Sequence, residues 1–437
     1  MIVPVMKNIM TRSFSKTIQG QDRGLVFHFD PGTGSLWDRI KGKRGFSHVR
    51  NSIATNWHPT ENKLVTQGVN VPRFELEGGR KALLVEPSST NSCLYSRAFD
   101  NAAWVQTGTP TPTKNETGID GVANTAYTLT DDNGAGYEYI LEQITISDDS
   151  NTHVCFLYIK KDTNEARFPE FQPNLSGGSV LVNHAIQLNT KTGALIERVD
   201  TGHDECGIID RGDWWQFWAT ITNNSTGNTD LIFQVIPART TTWGTAEVAA
   251  TGSIIIDAAQ GELNKNHPSS FIPTTSSAVT RATESGYPLW DLPVNVFDAT
   301  GTAIVWLRPG IDYGDVSAGD YGILSVQGAA SSLLYLDEGG NFCSHDGATE
   351  ATVNVNWSRD TWYKAVVKWN ATASKFRVGA DSGSDVSWGT EQTFDGSYAL
   401  GSYLQLGYGL FGPMHIGDLR IYNRVLSDAE INAGGSP

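Results

Sequence analysis

The chain has only four cysteines in 437 residues, and no two of them form a C-x-x-C pair. Cys93, Cys155, Cys206 and Cys343 are scattered, which excludes a disulfide-dense scaffold and leaves buried, reduced thiols as the expectation. Long apolar runs are also missing: none approaches the roughly 20 residues that a spanning helix needs, so no membrane partner is expected. The opening MIVPVMKNIMTRSFSK lacks a basic segment before its short apolar patch, so a secretory leader is not expected. The N-x-S/T stretches, such as Asn115-Glu116-Thr117, therefore carry no glycosylation argument.

Positive charge is scarce. The formal net charge is −15, which argues against a general nucleic-acid binder. Residues 1–50 are the exception, with nine Lys/Arg against three Asp, a net of +6 that leaves −21 on the remainder. A basic arm on an acidic body suits docking to an acidic protein scaffold, with Lys7, Arg12, Lys16 and Arg23 as the docking residues. A solvated tail explains the same charges.

Catalytic signatures are absent too. No H-E-x-x-H, G-x-S-x-G or G-x-x-x-x-G-K-[ST] occurs. Asp337-Glu338 and Glu391 stand in turn-like sequence without the partner carboxylate that glycoside hydrolysis needs. The densest titratable cluster, His203-Asp204-Glu205-Cys206, reads as a surface loop. Arg211-Gly212-Asp213 spells an integrin tripeptide, but Gly212 followed by Trp214-Trp215 reads as a turn into a strand. An enzyme is not expected.

What the sequence has is the profile of an all-β protein: 45 glycines, 10% aromatics, and Thr, Ser and Asn between short apolar runs. Its length suggests two or three domains. Residues 1–24 show no period and read as an arm. Residues 25–91 read as a small β segment, starting with the alternation of Leu25, Phe27 and Phe29 and containing a hairpin turn at Glu77-Gly78-Gly79-Arg80. Strands are expected at 126–130, 137–146, 153–160, 179–188, 214–221, 231–236 and 253–257, separated by acidic or Asn/Gly turns, which points to a jelly roll or related sandwich. The last of them leads to a turn at Gly261 and a Pro/Ser/Thr hinge over 268–277. A linker is placed at 286–295. Further strands at 303–307, 321–327, 332–336, 362–369, 374–378 and 403–406 suggest a second sandwich over 296–437. It ends in a short helix, with Ser427 and Glu430 spaced as a capping box.

Several motifs go beyond pattern. Arg50-Asn51-Ser52, Val71-Pro72-Arg73-Phe74, Leu83-Leu84-Val85-Glu86, Thr90-Asn91 and Phe99-Asp100-Asn101-Ala102 occur in order. Asp210 to Trp218, Ala259-Gln260-Gly261-Glu262 and Phe271 to Arg281 follow. Over about residues 45–285 this set resembles a block of bacteriophage virion proteins that leads into a jelly roll similar to carbohydrate-binding modules. Trp362 to Trp369, Lys375-Phe376-Arg377-Val378 and Ile416 to Ile431 resemble concanavalin A-like (laminin-G-like) lectin domains. The resemblance implies two tandem β-sandwiches on a tail-fibre or head-decoration protein at the virion surface. It further implies docking to other capsid or tail proteins through the N-terminal region, a host-surface glycan as ligand, and a homo-oligomer. It transfers no catalytic residues. A glycan-active enzyme with a lectin-like appendage and a purely architectural spacer remain the alternatives.

Sugar binding needs aromatic faces among polar groups. Trp243 and Trp388 stand in polar turns, with Tyr137, Tyr403 and Tyr408 as further candidates; Trp214, Trp218, Trp306, Trp362 and Trp369 lie in strands and are expected in the core. Loop aromatics also serve as lids on sandwich ends. No cofactor is required. The acids available for a structural Ca²⁺ are Asp131, Asp132, Asp148, Asp149 and Asp257, although Asp-Asn-Gly stretches are equally ordinary turn chemistry.

Overall fold

The computed structural model describes residues 23–40, 46–202, 204–291, 299–316, 319–326, 332–383, 385–398 and 403–433. Lys7, Arg12 and Lys16 lie outside them.

The strongest apolar runs become strands covered on both faces. Thr152–Lys160 and Trp214–Thr222 are buried almost throughout. They pair with each other inside a sheet ordered Cys206–Arg211, Trp214–Thr222, Thr152–Lys160, Gly252–Glu262, Ala126–Asp131, Thr111–Glu116. One face packs on a second sheet through Leu157, Phe217, Ile256, Phe171, Ile186 and Phe233. The other is roofed by Trp57, Leu64 and Phe271, which meet Phe156, Tyr158 and Trp218. Double coverage removes the polar alternation that a half-exposed strand shows. The second sheet keeps it: along Tyr139–Thr145, Ile140, Glu142 and Ile144 are buried and their neighbours are not. This is the expected central sandwich.

Two local expectations differ. Phe168–Ser176 is an interior strand of the second sheet, although Pro169 and Pro173 argue against one. Its ladder to Val182–Leu188 skips positions 172 and 173, where Pro173 has no N–H to give. Gly261 makes no turn but lies inside Gly252–Glu262, where an added Cβ would come 2.7 Å from Ile144 Cδ1.

The C-terminal sandwich is the larger departure. One of its sheets runs Ser387–Trp388, Lys375–Asp381, Tyr363–Asn370, Thr300–Pro309, Met414–Tyr422, Arg80–Val85, Arg73–Glu77, with Leu25–Phe29 also on Met414–Tyr422. The facing sheet begins with Phe46–Ser47 and Leu289–Asp291, ahead of Tyr403–Leu406 and Tyr321–Val326. Phe27, Phe29, Leu83, Val85 and Trp290 are in one buried cluster with Val305, Tyr321, Val367 and Leu419. The small β segment over 25–91 is therefore not a separate unit, and the strand within the supposed linker is part of this sandwich. The central sandwich is inserted between strands of the C-terminal one. Local pattern conceals this, because a strand's period does not say which sheet it joins.

Two turn-level expectations hold. Gly78 and Gly79 take φ of 57° and 77° between Arg73–Glu77 and Arg80–Val85, as a tight hairpin requires. The helix Asp428–Ala433 is capped reciprocally: Ser427 N donates to Glu430 Oε2 at 2.8 Å, and Glu430 N donates to Ser427 Oγ at 3.3 Å.

Where the chain leaves and re-enters the C-terminal sandwich, charges are buried together. Arg50 Nη1 donates to Glu284 Oε1 at 2.6 Å and also to the Val71 carbonyl at 2.9 Å. Arg73 binds Glu86 Oε2 at 2.6 Å and chelates Glu284 through Nε and Nη2. Arg281 Nη1 lies 3.1 Å from Glu86 Oε2, and the Glu284 N–H donates to the Glu86 carbonyl at 2.8 Å. Burial by itself raises the Glu86 carboxyl, but the Arg281 and Arg73 charges and the Ser270 hydroxyl overcome it and hold it at about 2.

Three outcomes follow from this arrangement. Residues 296–437 expressed alone lack the strands supplied by 25–91 and 289–291, so they are expected to show no cooperative thermal transition by circular dichroism, unlike the full chain. Glu284→Gln leaves Arg50 buried without its counter-charge and Arg73 with Glu86 alone, and is expected to lower stability by about 3–5 kcal/mol in urea unfolding. The depressed Glu86 value stabilises the fold fully above its ordinary 4.5, and this contribution is lost as pH falls toward about 2. The acid limb of stability is therefore expected to be shallower in Glu86→Gln than in the parent chain.

Candidate functional site

The insertion creates a cleft between the two sandwiches. After Gly252–Glu262 the chain turns through Asn264, whose φ of 58° is a left-handed conformation that asparagine tolerates. The loop is pinned by Lys265 N donating to the Thr152 carbonyl at 3.0 Å and Asn264 N donating to His153 Nδ1 at 3.3 Å. Asn264, Lys265 and Asn266 thus line one wall of a cavity of about 310 Å³. The opposite wall comes from the C-terminal sandwich: Ile311, Asp315, Leu410 and Phe411. Tyr321 stiffens that wall, its hydroxyl donating to the Pro413 carbonyl at 2.7 Å and its ring meeting Phe411 edge-on at 6.3 Å. Asn266 Nδ2 reaches across to Asp315 Oδ1 at 3.2 Å. Past these two residues the cleft continues into a second space of about 170 Å³ lined by Thr152, Glu205, Thr220 and Thr222.

The floor is chemically quiet. Glu262 accepts from Ser269 N at 2.8 Å, from Gln260 Nε2 at 2.9 Å and from the Ser89 hydroxyl, so its oxygens are engaged. Asp315 is half-buried and accepts from Asn266 Nδ2 and from Asp312 N, both at 3.2 Å, and burial pushes its pKa up. Amides, an ammonium and carboxylates here stand beside a half-buried phenylalanine, so polar donors and acceptors adjoin an apolar face.

Deeper in the junction, Glu75, Glu77 and His415 bring their ligand atoms within 4.8 Å of one another. Arginines already serve this group: Arg211 Nη1 is 2.7 Å from Glu77 Oε1, and Arg308 Nη1 is 3.5 Å from Glu77 Oε2. Burial raises the Glu77 carboxyl, but Arg211, His415 and Arg308 outweigh it and hold it at about 2. This is an ion-pair knot rather than a metal cradle. It also removes Arg211 from any integrin role, since the side chain points into the junction.

The aromatic candidates are not gathered at the cleft, and none of the five lines it. Trp243 packs on Phe168 with ring centroids 5.3 Å apart. Trp388 has Lys368 Nζ at 4.2 Å and the Arg377 guanidinium at 4.1 Å from its ring, both tied to Asp428. Tyr137 is covered by the Arg239 guanidinium at 3.9 Å. Tyr408 lies against Gly322, where an added Cβ would come within 2.3 Å of its ring. Tyr403 is exposed on its strand. Apart from Tyr403, these rings are engaged because a loop aromatic beside a cation or an apolar gap is drawn to it. Of the five strand tryptophans expected in the core, Trp214, Trp218, Trp306 and Trp369 are buried, but Trp362 is half-buried just ahead of Tyr363–Asn370, its Nε1 donating to the Glu77 carbonyl at 3.1 Å and its ring beside the Arg80 guanidinium.

The five acids do not converge either. Asp131 accepts from Asn133 N at 3.0 Å, and Asp149 accepts from Asn151 N at 2.9 Å, both as turn caps. Asp148 accepts from Gly227 N at 2.9 Å. Asp132 is exposed at its turn. Asp257 is buried and chelated by Arg97 at 2.8 and 2.6 Å. Arg23 is exposed, with its carbonyl accepting from Arg424 Nε at 2.7 Å.

Asn264, Lys265, Asn266, Asp315 and Phe411 were not singled out from sequence. The first three lie in the polar run after Glu262, a signal that was legible, but its partner wall is some 50 or more residues further along the chain.

No family model matches the chain, and no curated protein matches it. Among solved structures it is similar to the botulinum neurotoxin serotype D binding domain, at 15% identity over 34% of this chain and 40% of that one, with a TM-score of 0.28. It is also similar to Trypanosoma rangeli sialidase, at 10% identity over 92% and 95% of the two chains, TM-score 0.25. A third likeness is to mouse laminin alpha1 chain domains LG4-5, at 12% identity over 67% and 89%, TM-score 0.22.

Proposed function

We propose that this chain is a structural protein of a bacteriophage particle, a tail-fibre or head-decoration component at the virion surface. In this reading it adheres to host or environmental glycans. The observation that carries the glycan part is the inter-sandwich cleft, with Asn264, Lys265, Asn266 and Asp315 around the Phe411 face. Sugar hydroxyls need donors and acceptors that are held in place yet still open to the ligand, and rigid walls supply them. Support for the virion part is the ordered set of sequence motifs, many of whose charged residues meet in the buried junction.

Binding rather than catalysis fits the cleft. Hydrolysis of a glycosidic bond needs two carboxyl groups aimed at one bond, whereas here Glu262 is engaged by hydrogen bonds, Asp315 accepts from Asn266, and Glu205 is paired with Arg359. The reading requires no cofactor, nucleic acid or membrane. The basic N-terminal region docks to other virion proteins, and a homo-oligomer on a multi-copy particle turns weak contacts into firm adhesion.

The test has two parts. Gold-tagged antibody against residues 299–433 is expected to decorate the source particles, at the head or at the tail. On a glycan array the full chain is expected to retain a defined set of glycans, with retention lowered about tenfold or more by Asp315→Ala with Asn266→Ala. Decorated particles with an empty array would make the protein an architectural spacer. Absence of gold from particles would sink the virion reading.

A further inference from the structure

Away from the cleft, at one edge of the central sandwich, three side chains from three strands meet. His184 lies in Val182–Leu188, and Glu197 lies in the neighbouring edge strand Leu195–Asp200. Cys206 opens Cys206–Arg211, the edge strand of the facing sheet. One ligand atom from each lies within 4.8 Å of the others.

The imidazole is oriented for a ligand. His184 Nδ1 is 2.9 Å from the Thr220 carbonyl, and a carbonyl only accepts, so Nδ1 carries a hydrogen and in the neutral ring Nε2 presents its lone pair. Nε2 is buried and has no hydrogen-bond partner, although Glu197 Oε2 stands 3.5 Å away. A lone pair facing a carboxylate oxygen is repulsive without a proton or a metal cation between them. The spacing is also too long for an ordinary N–H···O bond, about 2.7–3.2 Å. Two ligands at about 2.1 Å on one tetrahedral ion stand about 3.4 Å apart, which is the separation found.

We infer that His184 Nε2, Glu197 and the Cys206 sulfur form a three-ligand site for Zn²⁺. Imidazole, carboxylate and thiolate together suit a borderline ion better than Ca²⁺ or Mg²⁺, which take oxygen ligands. The Glu197 side chain is 46% exposed, so the site opens to solvent and its fourth position falls to water. The Thr220 carbonyl fixes the ring from behind, as outer partners of metal-bound histidines do. The ion joins the edge strands of the two sheets, beside the His184–Thr220 hydrogen bond that already links them at this corner.

The test uses the full chain, stripped with chelator and dialysed. Calorimetric titration with zinc chloride is expected to show one equivalent bound, with a higher melting temperature. The Co²⁺ form is expected to show a thiolate-to-cobalt charge-transfer band that Cys206→Ser abolishes. Glu197→Gln, at a half-exposed position that leaves folding intact, is expected to weaken zinc at least about tenfold. Sub-stoichiometric uptake by the parent chain would overturn the assignment. So would unchanged zinc affinity in both Glu197→Gln and Cys206→Ser.

Discussion

The two sandwiches depend on one buried set of charges. Arg73 is the centre of it, holding Glu86, just past the strand where the chain leaves the C-terminal sandwich, and Glu284 from the segment where it returns. Arg50 and Arg281 complete the neutralisation. Isolated buried charges are costly, and the pairing here is worthwhile only when every member is present and hydrogen-bonded. The exit and the return of the inserted sandwich are thereby fixed side by side.

That fixed junction shapes the cleft. Its walls come from loops at the end of the inserted sandwich and loops of the enclosing one, and neither wall is a pocket by itself. The Asn266–Asp315 contact spans them. On the far side, Arg359 Nη1 reaches Glu205 Oε2 at 2.7 Å while its guanidinium covers Trp218. Any ligand in the cleft would therefore sense the angle between the two bodies, and the buried charges hold that angle.

Cations dominate the fate of the aromatic residues. Trp388, Tyr137 and Trp218 each carry a Lys or Arg on a face. A sequence search for sugar platforms looks for aromatic rings in polar loops, and the same neighbourhood supplies the lysines and arginines that occupy them. The acids behave similarly: Asp131 and Asp149 cap their own turns because Asp is chosen there for local hydrogen bonding.

The all-β class, most strands of both sandwiches, the hairpin at Gly78-Gly79 and the capping box at Ser427 and Glu430 were legible in the sequence, because each rests on contacts a few residues apart. The motifs that contain or adjoin Arg50, Arg73, Glu86, Arg281 and Glu284 were legible too, but that these charges meet was not, because they lie far apart along the chain. Only the tertiary structure decided that Leu25–Phe29, Phe46–Ser47, Arg73–Glu77 and Arg80–Val85 complete the C-terminal sandwich while Trp57 and Leu64 roof the central one, that Gly261 is a strand residue packed under Ile144, and that Asn266 faces Asp315. It also decided that His184, Glu197 and Cys206 share one corner. These depend on pairing between distant strands, where a period of two fixes which face a side chain takes but not which sheet the strand enters.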